Sequence, residues 1–84
     1  MIGRRVRHFN GHHELMSGEY GRWQDIWWAV SPNGHCANLG GYDVTEHPDG
    51  TITVSPSIEV KSSREGQPFV VYRGYLERGV WRDA

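Results

Sequence analysis

The chain has little of what most small domains use to hold themselves together. Cys36 is its only cysteine. An intrachain disulfide is therefore impossible, and the count rules out a zinc site built from several cysteines. No apolar run reaches the length of a signal-peptide core or the ~20 residues of a membrane span, so the sequence reads as soluble, cytoplasmic and without a membrane partner. There is no charge excess either. Nine Lys and Arg against ten Asp and Glu give a net charge of −1, and no global field draws the protein to nucleic acid or to an anionic surface. With 84 residues only one domain fits, and such a chain buries only about 60–65% of the surface it exposes when unfolded. No glycine-rich phosphate loop is present: Gly40-Gly41 lacks the Lys-Ser/Thr and the helix start that such a loop needs, and reads as a bend.

What is present is local basic charge and an excess of aromatic rings. Residues 1–13 carry Arg4, Arg5 and Arg7 with no acid, while residues 14–84 carry six basic and ten acidic groups. The beginning is basic and the remainder mildly acidic. Ten aromatic side chains are spread along the chain: Phe9, Tyr20, Trp23, Trp27, Trp28, Tyr42, Phe69, Tyr72, Tyr75 and Trp81. At ~150–250 Å² apiece, about half of them supply a core for a chain of this size. The rest cover a second layer or stand on the surface.

Eleven glycines and four prolines interrupt every segment, which suits short strands and opposes long helices. The expected fold is mainly β: a small single-domain antiparallel sheet or roll of about five or six short strands, with room for one short helical turn. Tyr42–Thr45 and Thr51–Val54 flank Pro48-Asp49-Gly50, a turn in which Pro48 sets φ, Asp49 bonds its own backbone and Gly50 takes the left-handed conformation. Pro56 then breaks the ladder and places its strand at an edge or bulge before Ile58 and Val60 resume the apolar face. Lys61–Pro68 reads as a polar loop. Phe69–Tyr72 reads as a strand, and Tyr75-Leu76, Glu77-Arg78-Gly79 and Val80-Trp81 as a second hairpin, with Trp81 plugging one end of the core. Tyr20–Val30 fits both a helix and a strand, and the continuous run Ile26–Val30 favours the strand. Asn10-Gly11 marks a further turn between Arg4–Phe9 and a returning arm at His12–Met16.

Three constellations bear on chemistry. Five histidines, His8, His12, His13, His35 and His47, are candidate metal ligands, but neighbours such as His12 and His13 leave an extended chain on opposite sides. Most of them are expected in turns or on the surface. Cys36 with a histidine and Asp43 or Asp49 would make a nucleophile, yet a lone cysteine in a small protein is more often an apolar filler. Neither reading specifies an enzyme, and no cofactor is expected. The third constellation pairs rings with arginines. Trp27 and Trp28 point to opposite faces of a strand, so one meets the core and the other either a second layer or a partner. Trp23, Trp27, Trp28, Arg4, Arg5 and Arg7 are the expected partner-binding residues. A single-stranded nucleic acid is the rival ligand, with arginines on phosphates and rings on bases.

The segments Ile26–His35, Gly41–Val44, His47–Ile58 and Tyr75–Trp81 together resemble a family of small phage and bacterial proteins with a domain of unknown function. In that family an aromatic strand runs into a Cys-Pro-x-Cys-Gly knuckle, followed by a segment like P-D-G-T-x-T-x-S-P-S-I. The resemblance covers roughly residues 23–82, leaving 1–22 as an N-terminal hairpin or arm. At the knuckle this chain has Ser31-Pro32-Asn33-Gly34-His35-Cys36, so His35 and Cys36 are the only remnant ligands. The resemblance implies a metal-free descendant encoded by a phage or prophage. It carries no activity to transfer and implies only an accessory role. The functional expectation drawn from the residues is a non-enzymatic interaction protein that binds a host or phage protein, inhibiting a host enzyme or defence system. A divergent zinc-knuckle protein or small enzyme is a further alternative, and self-association into a homo-oligomer is left open.

Overall fold

The computed structural model describes all 84 residues, and the protein is mainly β. Nine strands form three small sheets: β1 (Arg4–Arg5), β2 (Glu19–Trp23), β3 (Ile26–Val30) and β4 (Cys36–Asn38) in the first, β5 (Asp43–Glu46) and β6 (Ile52–Ser55) in the second, β7 (Ile58–Arg64), β8 (Gln67–Glu77) and β9 (Val80–Asp83) in the third. The single helical element is a 3₁₀ turn at His12–Glu14. The strands outnumber the expected five or six: Tyr20–Val30 folds as two of them, and the short β4 at Cys36–Asn38 is not among those expected. Gln24 and Asp25, both at positive φ (51° and 64°), close a two-residue turn between β2 and β3. Glu65-Gly66 and Arg78-Gly79 close β7–β8 and β8–β9 in the same way. Turns with both central residues in the left-handed region match the twist of the strands they join.

The β5–β6 hairpin forms as its residues dictate. Val44 pairs with Val54 and Thr45 with Thr53; the Gly50 N–H donates to the His47 carbonyl, and Asp49 Oδ1 accepts from the Thr51 N–H at 3.0 Å. Pro56 follows β6 directly, where the chain leaves the second sheet for the third. One core joins all three sheets: Tyr20 and Ala29 from the first, Ile52 and Val54 from the second, Ile58, Val60, Tyr72, Leu76 and Trp81 from the third, with Ala37 and Leu39. Trp81 is 3% exposed. Its indole N–H donates to the Gly18 carbonyl at 3.0 Å, and its ring meets Tyr72 edge-on.

Two expectations fail. The N-terminal segment makes no hairpin: β1 pairs in parallel with β2, Arg4 beside Glu19 and Arg5 beside Tyr20, and His12–Glu14 is a 3₁₀ turn instead of a returning strand. Residues 9–15 are instead drawn across the outer face of the β2–β3 pair. There the Phe9 ring lies so close to Gly21 that any side chain at 21 would collide with it, and Leu15 is buried. The second failure is Lys61–Pro68, which is not a loop. Lys61–Arg64 continues β7 and Gln67–Val70 begins β8, paired Lys61 to Val70, Ser62 to Phe69, Ser63 to Pro68 and Arg64 to Gln67. All ten residues from Lys61 to Val70 are exposed. They form a two-stranded ribbon that extends beyond the core, and the molecule measures 42 × 28 × 21 Å.

Candidate functional site

The arginines and tryptophans singled out by sequence do meet, but largely in one another's service. Trp27 packs against the core. The Arg5 guanidinium stands 4.7 Å from the centre of its ring, while Nη1 donates to Glu46 Oε2 at 2.7 Å and to the Gly50 carbonyl at 2.8 Å. Arg5 is thus a clamp between β1 and the β5–β6 turn. The hydrogen bond from Arg5, reinforced by the charges of Arg5, Arg7 and Arg22, holds the Glu46 carboxyl below its ordinary range. Arg7 lies against Gly50, and Arg4 reaches Glu19 only loosely, at 3.7 Å.

Trp28 points away from the core, as strand alternation requires. A second layer of the same chain covers it: the His12 imidazole stacks on the indole with centroids 4.3 Å apart and planes 20° from parallel. Trp23, at the end of β2, is half-buried. None of the four tryptophans is fully exposed, so the proposed partner-binding set is mostly spent on intramolecular packing, with Arg4 and Arg7 its exposed members.

Cys36 is not a buried filler. It opens β4, exposed, with Sγ 3.6 Å from His12 Nδ1. Partial desolvation pushes the thiol up from its ordinary value, which favours the protonated form and gives no activated thiolate. Asp49 is occupied with Thr51 in its turn, and Asp43 sits across from Ser55 at the end of β5; neither bonds His12. No three metal-binding side chains converge anywhere in the protein. His35 and Cys36, the expected remnant pair, are adjacent, but the thiol contacts His12 instead. His47 Nε2 is engaged with Thr53 Oγ1 at 2.7 Å.

The feature that sequence reasoning missed is the ribbon. Its two-residue turn makes Arg64 and Gln67 the hydrogen-bonded pair that closes the hairpin, so Ser63 and Pro68 form the next, non-bonded pair, with main-chain groups facing outward. Pro68 has no N–H to offer there. On β7 the parity runs Glu59, Lys61, Ser63. The Tyr42 hydroxyl caps the first of these, accepting from the Glu59 N–H at 3.1 Å and donating to its carbonyl at 3.3 Å. Beyond Glu59 no strand or side chain pairs with the outer edge of β7. Phe69 and Val70 stand 45% and 42% exposed beside it. Val71, skipped in the pairing, is a bulge at the junction of the ribbon with the body. The signal in the sequence was Glu65-Gly66 with equal arms on either side. It was obscured because neither face of the ribbon is buried, so no alternation of apolar residues marks it.

The chain matches no protein-family model, no curated protein and no solved structure. Function is therefore read from its own geometry. No helix of the protein is long and apolar enough to cross a membrane.

Proposed function

We propose that the protein is a binding module that takes hold of another protein through the β7–β8 ribbon, by strand addition at the outer edge of β7. One observation carries this reading. From Lys61 to Val70 the chain keeps a full ladder while burying nothing, so the order of the ribbon serves no core of its own. A strand edge with free N–H and C=O groups is a template for another strand, and the N–H groups of Lys61 and Ser63 supply that template. Phe69 and Val70 add apolar contact beside it, in keeping with the enrichment of aromatic side chains in interface cores. Lys61 and Arg64 favour a partner strand that carries acidic residues, and they also discourage pairing with a second copy of the same edge. The partner is a host or phage protein and the outcome of binding is inhibition; the family resemblance contributes only a phage or prophage origin and an accessory role.

A photo-crosslinking amino acid placed at Ser63, tested in lysate against the same probe at Arg22, separates this surface from the arginine and tryptophan face. The expected result is one discrete adduct from position 63 and none from position 22. Adducts from position 22 alone would contradict the proposal.

Arg5, Arg7 and Arg22 gathered near Glu46 beside Trp27 favour a second reading, a weak single-stranded nucleic-acid binder. Arg5 is committed inward and Glu46 offsets one charge, which leaves a shallow salt dependence of about two units. Retention on a polyanion column that falls with salt at about that shallow slope would support it, and elution in the void volume would remove it.

A further inference from the structure

The three asparagines of the chain, Asn10, Asn33 and Asn38, stand in unlike settings. An asparagine followed by glycine is able to close on itself, because the next main-chain nitrogen reaches the side-chain carbonyl carbon with no Cβ in the way. Asn10-Gly11 and Asn33-Gly34 both have that sequence. At Asn33 every group the reaction needs is occupied. Oδ1 accepts from the Ser31 hydroxyl, Nδ2 donates to the Val71 carbonyl at 3.0 Å, and the Gly34 N–H donates to the Ser31 carbonyl at 2.8 Å. Asn38 is held likewise: Oδ1 accepts from the Gly40 N–H, and the nitrogen that follows, on the bulky Leu39, donates to the Trp27 carbonyl. Asn10 alone is free. It is exposed, its side chain has no hydrogen-bond partner, and the Gly11 N–H donates to no acceptor in the protein.

We infer that Asn10-Gly11 is a site of self-modification, with water as its only co-reactant. The Gly11 nitrogen, losing its proton to solvent, attacks Asn10 Cγ. The new C–N bond closes a succinimide, and the Cγ–Nδ2 bond breaks as that amide nitrogen takes a proton from solvent and leaves as ammonia. Water then opens the ring at either carbonyl, leaving an aspartyl or isoaspartyl residue at position 10; no electron changes hands. The place matters to the fold. The Asn10 N–H donates to Glu14 Oε1 at 2.9 Å and the Gly11 carbonyl accepts from the Glu14 N–H at 3.1 Å, and these bonds close the 3₁₀ turn that lays His12 on Trp28. A carboxylate at position 10 repels Glu14, and the isoaspartyl form adds a methylene to the main chain just ahead of the turn. Modification therefore frees the His12 ring and uncovers the indole.

Ageing the whole protein in mildly alkaline buffer, followed by peptide mapping for the mass gain that exchanges NH2 for OH, tests this. Native protein is expected to gain it at Asn10 about tenfold or more faster than at Asn33, whose hydrogen bonds must break first. In guanidinium chloride the two should react at similar rates, since glycine follows both. Asn10→Gln should abolish the gain in its peptide. The modified fraction, separated on an anion exchanger by its added charge, should show tryptophan emission shifted to the red. No gain at Asn10 in the native protein, Asn33 reacting there as fast as Asn10, a rate ratio that denaturant leaves unchanged, or unshifted emission in the modified fraction would each overturn the inference.

Discussion

Strand β7 is two strands in physical character. From Ile58 to Val60 its inward residues are 0% and 8% exposed, capped at Glu59 by Tyr42 and paired on the other side with β8. From Lys61 to Arg64 the same ladder continues with nothing packed on it. The backbone hydrogen bonds are alike, so the difference lies in apolar burial, which supplies most of the stability of folded proteins. A ladder that hydrogen bonds alone hold together is marginal in water. Such a ribbon persists because the three-stranded body anchors one end and a two-residue turn closes the other. The body is where changes cost stability, and the ribbon is where they change only what the protein touches.

The comparison can be broken from either side. The largest effect is expected at Trp81. Trp81→Ala removes a side chain 3% exposed, together with its bond to Gly18, and should cost about 3–5 kcal/mol by urea denaturation, enough to unfold a domain this small. Gly74→Ala comes next. A Cβ there would stand 2.8 Å from the Arg82 carbonyl and 2.6 Å from the Tyr72 ring, so a loss of about 1–3 kcal/mol is expected from strain alone. A cost below a few tenths at either position would mean that the core is looser than described.

Smaller effects come from charge. Arg5 holds Glu46, and Arg73 holds Glu59, below the ordinary 4.5 of a glutamate. A carboxyl with a depressed folded-state pKa stabilises the protein above its unfolded value. That contribution fades as pH falls below about 4.5 and through the folded values. The urea midpoint should therefore drop on acidification in that window, and Glu46→Gln should flatten the drop. Both carboxylates are solvent-exposed, so the effect is modest. The smallest change is expected from Phe69→Ser with Val70→Thr, within about 0.5 kcal/mol of the parent. A loss above 1 kcal/mol there would show that the ribbon is part of the core after all.

How much of this the sequence could reveal depends on where burial writes its period. Thr51–Val54 alternates because one face is buried, and Pro48-Asp49-Gly50 specifies its turn by backbone chemistry, so the β5–β6 hairpin was legible residue by residue. The β8–β9 hairpin and the inward Trp81 were legible for the same reason. Gln24-Asp25 carries no glycine, which hid the turn that divides Tyr20–Val30 into two strands. The N-terminal arm misled because Asn10-Gly11 is a good hairpin turn locally, while the outer face of β2–β3, with Gly21 open and Trp28 uncovered, offered Phe9 and His12 a better place. The His12–Cys36 pair depends on that crossing and has no local signature.

Comparing what the wild-type protein and Ser63→Pro each capture from the same lysate tests the central claim most directly. Proline at 63 removes the outward N–H at the free edge of β7 and leaves the Ser62–Phe69 and Arg64–Gln67 pairs of the ladder in place. The account predicts an unchanged urea midpoint and loss of the protein that wild type retains. A folded Ser63→Pro variant that retains that protein as well as wild type would contradict it.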